Sequence, residues 1–394
     1  MSEKSARPGL PRTVVIVPDS FKGTASAGEV AKAMVSGVAQ AACSLDLECE
    51  IRSLPFADGG EGTLDAFLAA WGVDAYFVPT TDALGRDISA RYGISPDGQI
   101  AVVEAAEANG LPLVSDRDLR PLEATTYGVG TILAAVFDHG VKEIILCLGG
   151  SATTDGGAGL LAALGAKFMD ATGQELSPGG GSLSSLADIS IAHLDSRVSE
   201  VMWKVACDVT NPLTGNRGAA HVFGSQKGAT REQREFLDQG LEQLVRIIAA
   251  STGRELAEIP GMGAAGGLAT TLSAFANVEL IPGWELVAQT LSAHKLLEGA
   301  DLVFTGEGRL DSQSLEGKVV SGVLHMSAEK SAVVVFAGSV DLSPEQLNEA
   351  GIAAAFSIAH GPASLDELRE NTVGLISSTA YNVARMYLMG DRIS

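Results

Sequence analysis

The sequence predicts an α/β protein of two domains, and three observations carry that prediction. Unbroken apolar runs, "RTVVIVPDSF" near the start and "DLVFT", "SAVVVFAGS" and "IAAAFSIAHG" near the end, read as strands buried on both faces of a parallel sheet. Helically spaced segments lie between such runs, the β–α alternation of right-handed crossovers. Length is the third: 394 residues are too many for one ordinary core and comfortable for two.

Each element has its local reason. After the first strand, Ser26 and Glu29 form a capping-box pair, and Val30, Ala33, Met34, Gly37 and Val38 follow helical spacing. "PFADGGEGT" then leads into Leu64, Phe67, Leu68 and Trp71, at i, i+3, i+4 and i+7 of a helix. "TTYGVGTILAAVFDHG" reads as a helix closed by Gly140, before the strand "EIILCLGG" and the glycine-rich "SATTDGGAGLLAALGA". Thr230 with Gln233 caps a long amphipathic helix through Ile248. The middle of the chain is mixed: "RYGISPDGQIAVVEAAE" alternates, and "SPGGGSLSSL" is a polar excursion. The two ends therefore form a discontinuous Rossmann/flavodoxin-like domain, residues 1–80 and 285–394, and residues 81–284 form an inserted second α/β domain. No fixed-period repeat occurs.

Composition excludes several functions. A net charge of −21 repels nucleic acid and anionic membrane surfaces, so neither is expected as a partner. No apolar run approaches the roughly 18 residues that span a bilayer. The tail "MSEKSARPGLP", read as disordered, lacks the apolar centre of a signal peptide, so the expected location is cytoplasmic. Four cysteines form no CxxC pair and six scattered histidines no HExxH, which argues against disulfides and a transition-metal site. There is no GxxxxGK[ST], no HRD or DFG set and no GxSxG; "GMGAAG" follows "AEIP" rather than a strand.

Five loops share one design, an apolar run followed by glycines with acidic and hydroxyl residues: "PDSFKGT", "FADGGEGT", "GGSATTDGG", "CDVTNPLTG" and "TGEGRLDSQSLEGK". Such loops gather at the carboxyl ends of parallel strands, where glycine lets backbone N–H groups approach a phosphate or carboxylate. Lys22, just before a capped helix, is an anion contact or one more exposed lysine; Asp19 could be an ordinary turn residue. Asp58 and Glu61 cap a helix or, with a nucleotide present, hold Mg²⁺. Asp155 is a cap or a Mg²⁺ contact, Asp208 an Asx-turn or a catalytic carboxylate, and Lys227, taken alone, a solvated lysine. In the last loop Glu307, Arg309, Asp311 and Lys318 provide cation ligands and anion contacts together, as phosphoryl transfer requires.

Together with "ACDVTNPLTGNRGA", "FGSQKGAT" and "GAAGGL", these segments resemble the bacterial glycerate kinase family of the two-domain, non-P-loop type, in the family's order and from about Val14 to the last helix. The resemblance implies ATP- and Mg²⁺-dependent phosphorylation of D-glycerate, usually to 2-phosphoglycerate, in a cleft between the domains. On that basis Lys22, Asp208, Arg309 and Asp311 are the catalytic candidates. Asp19, Ser20, Phe21, Lys22 and Arg309 would bind glycerate, the first three through backbone around "DSFKG". Gly149, Gly150, Ser151, Thr153 and Lys318 would hold the ATP phosphates, and Asp58, Glu61, Asp155 and Glu307 the Mg²⁺. The chain departs from the family at Thr154, Ser225, Glu107 and Asn109, where altered substrate choice would be sought. The rival readings are a kinase of another small hydroxy acid or one giving 3-phosphoglycerate, a sugar-acid sensor, and a phosphatase. Monomer and homodimer remain open.

Overall fold

The structure is a computed structural model that describes residues 12–328 and 331–393. The reading of the first eleven residues as a disordered tail lies outside that range. In chain order the strands are β1 (Arg12–Ile16), β2 (Cys49–Ser53), β3 (Tyr76–Thr81), β4 (Asp87–Ile94) and β5 (Ile100–Glu104). Then come β6 (Glu143–Cys147), β7 (Lys167–Met169), β8 (Asp188–Ser190) and β9 (Met202–Ala206). The last are β10 (Asn277–Ile281), β11 (Leu302–Leu310), β12 (Ala332–Val340) and β13 (Ala354–Ser357).

The chain divides into two units. One holds the residues up to Asp58, Asp65–Ala70 and the chain from Trp284 onward; the other holds Gly59–Leu64 and Trp71–Gly283. In the first, five strands are ordered β13-β12-β11-β1-β2 and every neighbouring pair is parallel. Counted within the unit, that order is 2-1-3-4-5, the flavodoxin-like doubly wound arrangement, with its switch point between β1 and β11. Val14, Val15, Ile16 and Phe304 are fully buried, which is why these strands read as unbroken apolar runs. The helix Ala27–Leu45 carries the expected capping box and buries Val30, Ala33, Met34 and Val38.

The second unit has a six-stranded sheet, β10-β9-β6-β5-β4-β3, and a two-stranded ribbon of β7 and β8. Its strands β5, β6, β9 and β10 are parallel, as the alternation predicts, but β4 runs antiparallel to both β3 and β5. Only Ser95–Gln99 joins β4 to β5, too short for a crossover. β3 pairs along its whole length with β4, from Tyr76↔Tyr92 to Thr81↔Asp87. The boundary drawn after residue 80 is thus corrected: residues 71–80 belong to the second unit. The core there is built on the fully buried Trp203, whose indole N–H donates to Val198 O at 2.8 Å. The helix Arg231–Thr252 starts at the capping box of Thr230 and Gln233 and buries Leu237, Leu241, Leu244 and Ile248. Among the described residues no helix is long and apolar enough to cross a membrane.

Candidate functional site

Two sites emerge, one in each unit, both at the carboxyl ends of parallel strands. In the first unit β1 continues past Ile16 beside β11: Val17 N–H donates to Phe304 O at 2.8 Å and Asp19 N–H to Gly306 O at 2.9 Å. β11 itself runs on through Gly306, Glu307, Gly308 and Arg309 to Leu310, paired with β12. The first part of the last glycine-rich segment, through Leu310, is therefore strand, not the loop expected. A side chain at position 306 would put its Cβ 2.5 Å from Phe336 O, so glycine there lets β12 lie close.

This pairing sets two carboxylates at the switch point. Asp19 is 9% exposed and Glu307 8%, and Glu307 Oε1 is buried with no hydrogen-bond partner. Burial, then the charge of Asp58, pushes the Asp19 carboxyl up to about 7, against the Ser20 N–H and Lys22, which favour its ionised form. Glu307 is also pushed up to about 7, by burial first and then by Asp311 and Asp58, while Ser314 and Lys318 pull it down. Perturbed acids of this kind mark functional sites.

Around this pair some side chains are free and others are engaged. Lys22 is exposed on the turn just after Asp19. Phe21 is buried in the apolar core, and its N–H donates to Ala25 O at 2.9 Å. The Ser20 N–H donates to Asp19 Oδ1 at 2.6 Å. The backbone donors expected to grip glycerate at Ser20 and Phe21 are thus used within the turn. Arg309 is 66% exposed and held by Asp341, with Nε at 2.7 Å and a terminal nitrogen at 2.6 Å from Oδ2. Asp311 caps the turn Ser312–Leu315 by accepting from Gln313 N–H at 2.9 Å, which ties it to the backbone. Lys318 stands at the N-cap of the helix Val319–Met326 in the first unit, with Glu307, and not in the unit of Gly149 with which it was grouped. Asp58 and Glu61, read as one pair, belong to different units.

In the second unit a cavity of about 200 Å³ opens at the ends of β6 and β9. Gly149, Gly150, Ser151, Asp208 and Lys227 are among its lining residues. Asp208 is exposed there and accepts from Gly283 N–H at 2.7 Å. Lys227, expected to be solvated, is only 2% exposed: its ammonium donates to Ser151 Oγ at 3.0 Å and to Thr153 O at 2.6 Å. The turn Ser225–Lys227 ends at Gly228, with φ of +86°, against Leu119, and this brings the lysine inward. Spacing alone does not reveal that; membership of the motif string "FGSQKGAT" was the one usable signal. Burial pushes the Lys227 ammonium down to about 7, partly offset by Asp155. Because its pKa is lower folded than unfolded, the unfolded chain binds more protons between pH 10.5 and about 7. Stability present at high pH is therefore lost as pH falls through that window. Lys227→Met, though it strips Ser151 and Thr153 of a donor, should gain on wild type by about 1.4 kcal/mol per pH unit across it and stay level below. Parallel melting curves from pH 6 to 10 check this.

Asp155 takes the capping role. It is 1% exposed, and its Oδ2 accepts from Thr126 N–H at 2.8 Å, Thr126 Oγ1 at 2.9 Å and Gly159 N–H at 3.2 Å, while Oδ1 accepts from Gly157 N–H at 3.2 Å. Burial pushes its carboxyl up against these donors. A carboxylate so engaged has little left for Mg²⁺. Asp155→Asn is expected to cost about 3 kcal/mol by turning an amide N–H₂ toward donors; an unchanged melting temperature with lost activity would restore the metal role. Asn109 and Thr153 are also buried here, joined by Asn109 Nδ2 to Thr153 Oγ1 at 3.1 Å. Glu107 pairs with Arg91 at 2.7 Å. Among the described residues no three acidic, histidine or cysteine side chains converge as a metal cage.

A switch-point acid cluster in a doubly wound unit, and a glycine-rich cavity over a buried lysine in a second α/β unit, define an enzyme that handles small anionic molecules. The model of the glycerate kinase family matches residues 14–388, and the chain belongs to that family. A Halalkalibacterium halodurans protein named glycerate kinase is 43% identical over 94% of this chain and 97% of its own. An Escherichia coli protein named glycerate 2-kinase is 40% identical over 96% and 99%. A Salmonella typhimurium crystal structure, provisionally described as glycerate kinase 2, superposes with a TM-score of 0.87 at 40% identity, covering 97% of this chain and all of that one. The present chain is thus a kinase.

Proposed function

We propose that this enzyme transfers the γ-phosphoryl group of ATP to the 2-hydroxyl of D-glycerate, giving 2-phosphoglycerate and ADP. The observation that carries the reading is the pair Asp19 and Glu307, nearly neutral-poised acids buried at the switch point beside Lys22. The E. coli relative's name favours the 2-product. Lys22 takes the glycerate carboxylate. Asp19, its carboxyl pushed up to about 7 by burial, accepts the hydroxyl proton. The hydroxyl oxygen forms its bond to the γ-phosphorus, the bond to the β–γ bridging oxygen breaks, and ADP leaves with that electron pair. The proton held on Asp19 then passes to solvent. The loop Gly149–Thr153 receives the ATP phosphates.

Mg²⁺ fits the first unit through the orphaned Glu307 Oε1 and the repulsion between Glu307 and Asp58. Glu307 and Asp58 would hold it, with waters and phosphate oxygens completing the shell. Bound there, it would neutralise charge on the transferring phosphates.

Phosphorus NMR of purified enzyme with ATP, Mg²⁺ and D-glycerate tests the reading. A 2-phosphoglycerate signal supports it. A 3-phosphoglycerate signal keeps the kinase and overturns the choice of hydroxyl. Product only from another hydroxy acid changes the substrate, and tight glycerate binding without any turnover favours the sensor.

A further inference from the structure

Lys227 is the one cation among the described residues that line the cavity of the second unit. An ammonium carries three N–H donors. Two of them go to neutral oxygens, Ser151 Oγ and Thr153 O. The carboxylate that acts on it electrostatically, Asp155, is already taken up by the N–H groups of Thr126, Gly157 and Gly159 and the Thr126 hydroxyl. A charge buried to this degree with neutral partners alone is costly, and an anion arriving in the cavity would supply what it lacks.

The loop above it is shaped for such a guest. Leu111 N–H donates to Gly150 O at 2.8 Å and Ala152 N–H to Asn109 O at 2.7 Å, which fixes the loop from the side of residues 109–111. Among the described residues no hydrogen bond takes up the N–H of Gly149 or of Gly150. Gly150 has φ of +71°, and a Cβ on it would meet nothing nearer than Ala106 Cβ at 4.0 Å. Two backbone donors and a buried ammonium thus border one cavity, the arrangement that holds a phosphate group.

We propose that Lys227 binds a phosphoryl group of the nucleotide: it shapes the Gly149–Thr153 loop through Ser151 and Thr153 and gives its remaining N–H to a phosphate oxygen in the cavity. Naming that phosphate as a nucleotide's rests on the kinase reading above. The lowered pKa of Lys227 agrees, since a phosphate would restore the charged form.

Calorimetric titration of ADP and of adenosine, without glycerate, into wild type, Lys227→Met and Lys227→Gln is the test. Wild type is expected to bind ADP, and both variants to bind it about 100-fold more weakly. Adenosine, which lacks phosphate, is expected to bind all three alike within about twofold. Lys227→Gln keeps a donor for the loop while removing the charge, so a role confined to loop shape would leave its ADP affinity near that of wild type; that result would overturn the proposal, as would unchanged ADP affinity in both variants, equal weakening of adenosine, or no ADP binding by wild type. The glutamine variant keeps a donor for Thr153 and stands in where the methionine variant does not fold. A wild type that binds ADP but forms no phosphoglycerate would end the glycerate reading and leave Lys227 still decided by these titrations.

Discussion

Glu307→Gln is expected to lower turnover about 10³-fold while raising the melting temperature of the metal-free protein at pH 8. The two effects have one cause. Glu307 is buried, one of its oxygens has no partner, and the charges of Asp311 and Asp58 bear on it unfavourably. In the absence of ligand the carboxylate is therefore a burden on folding, and a neutral amide of the same shape should relieve about 1–3 kcal/mol of it. The same unpartnered oxygen is what a cation near the phosphates would use, so the relief comes at the expense of the reaction. Steady-state kinetics over a Mg²⁺ series and calorimetric melting of the same preparation decide the matter. Nearly normal turnover would remove Glu307 from the chemistry. A lower melting temperature would mean that the fold relies on its charge, and the strain argument would fail.

Much of this was legible in the residues, for reasons that differ by element. Strands such as Val14–Ile16 and Leu302–Phe304 are buried on both faces, so their apolar runs stand out. The Ser26 and Thr230 caps are written within four residues and form as written. The glycine-rich segments lie, as expected, at or just past the carboxyl ends of β1, β2, β6, β9 and β11. What was hidden depends on contacts remote in sequence. β3 reveals its unit only through pairing with β4, and which of its two readings Asp155 favours, cap or Mg²⁺ contact, shows only when Thr126 comes to meet it. Lys227 looks like any surface lysine until its turn folds it under Ser151, 76 residues away. Arg309 and Asp311 were attractive by charge, yet both are engaged close by, with Asp341 and with Gln313 N–H. Residue types told which chemistry was available; tertiary pairing told which side chains were already committed.

That distinction sets the second large effect. Lys22→Ala is expected to reduce kcat/KM for glycerate by 10² to 10³-fold, about 3–4 kcal/mol of transition-state binding, and Arg309→Ala by less than about tenfold. Both residues offer a cation near the carboxyl ends of β1 and β11, and an anionic substrate facing a chain of net charge −21 needs one. Arg309 already spends its fork on Asp341, and freeing it would leave that carboxylate without its partner. Lys22 is exposed on a turn held by the bonds between Phe21 and Ala25 and from Thr24 N–H to Phe21 O, none of which uses its side chain. Its removal should therefore leave the melting temperature within about 1 °C of wild type, because no buried contact is lost. Lys22→Arg keeps the charge and should recover part of the rate, which separates loss of a cation from disturbance of the turn. Comparable losses at the two positions would instead require the Arg309–Asp341 pair to open when glycerate arrives, and a double variant no worse than either single one would then assign both cations to a single contact with the substrate carboxylate.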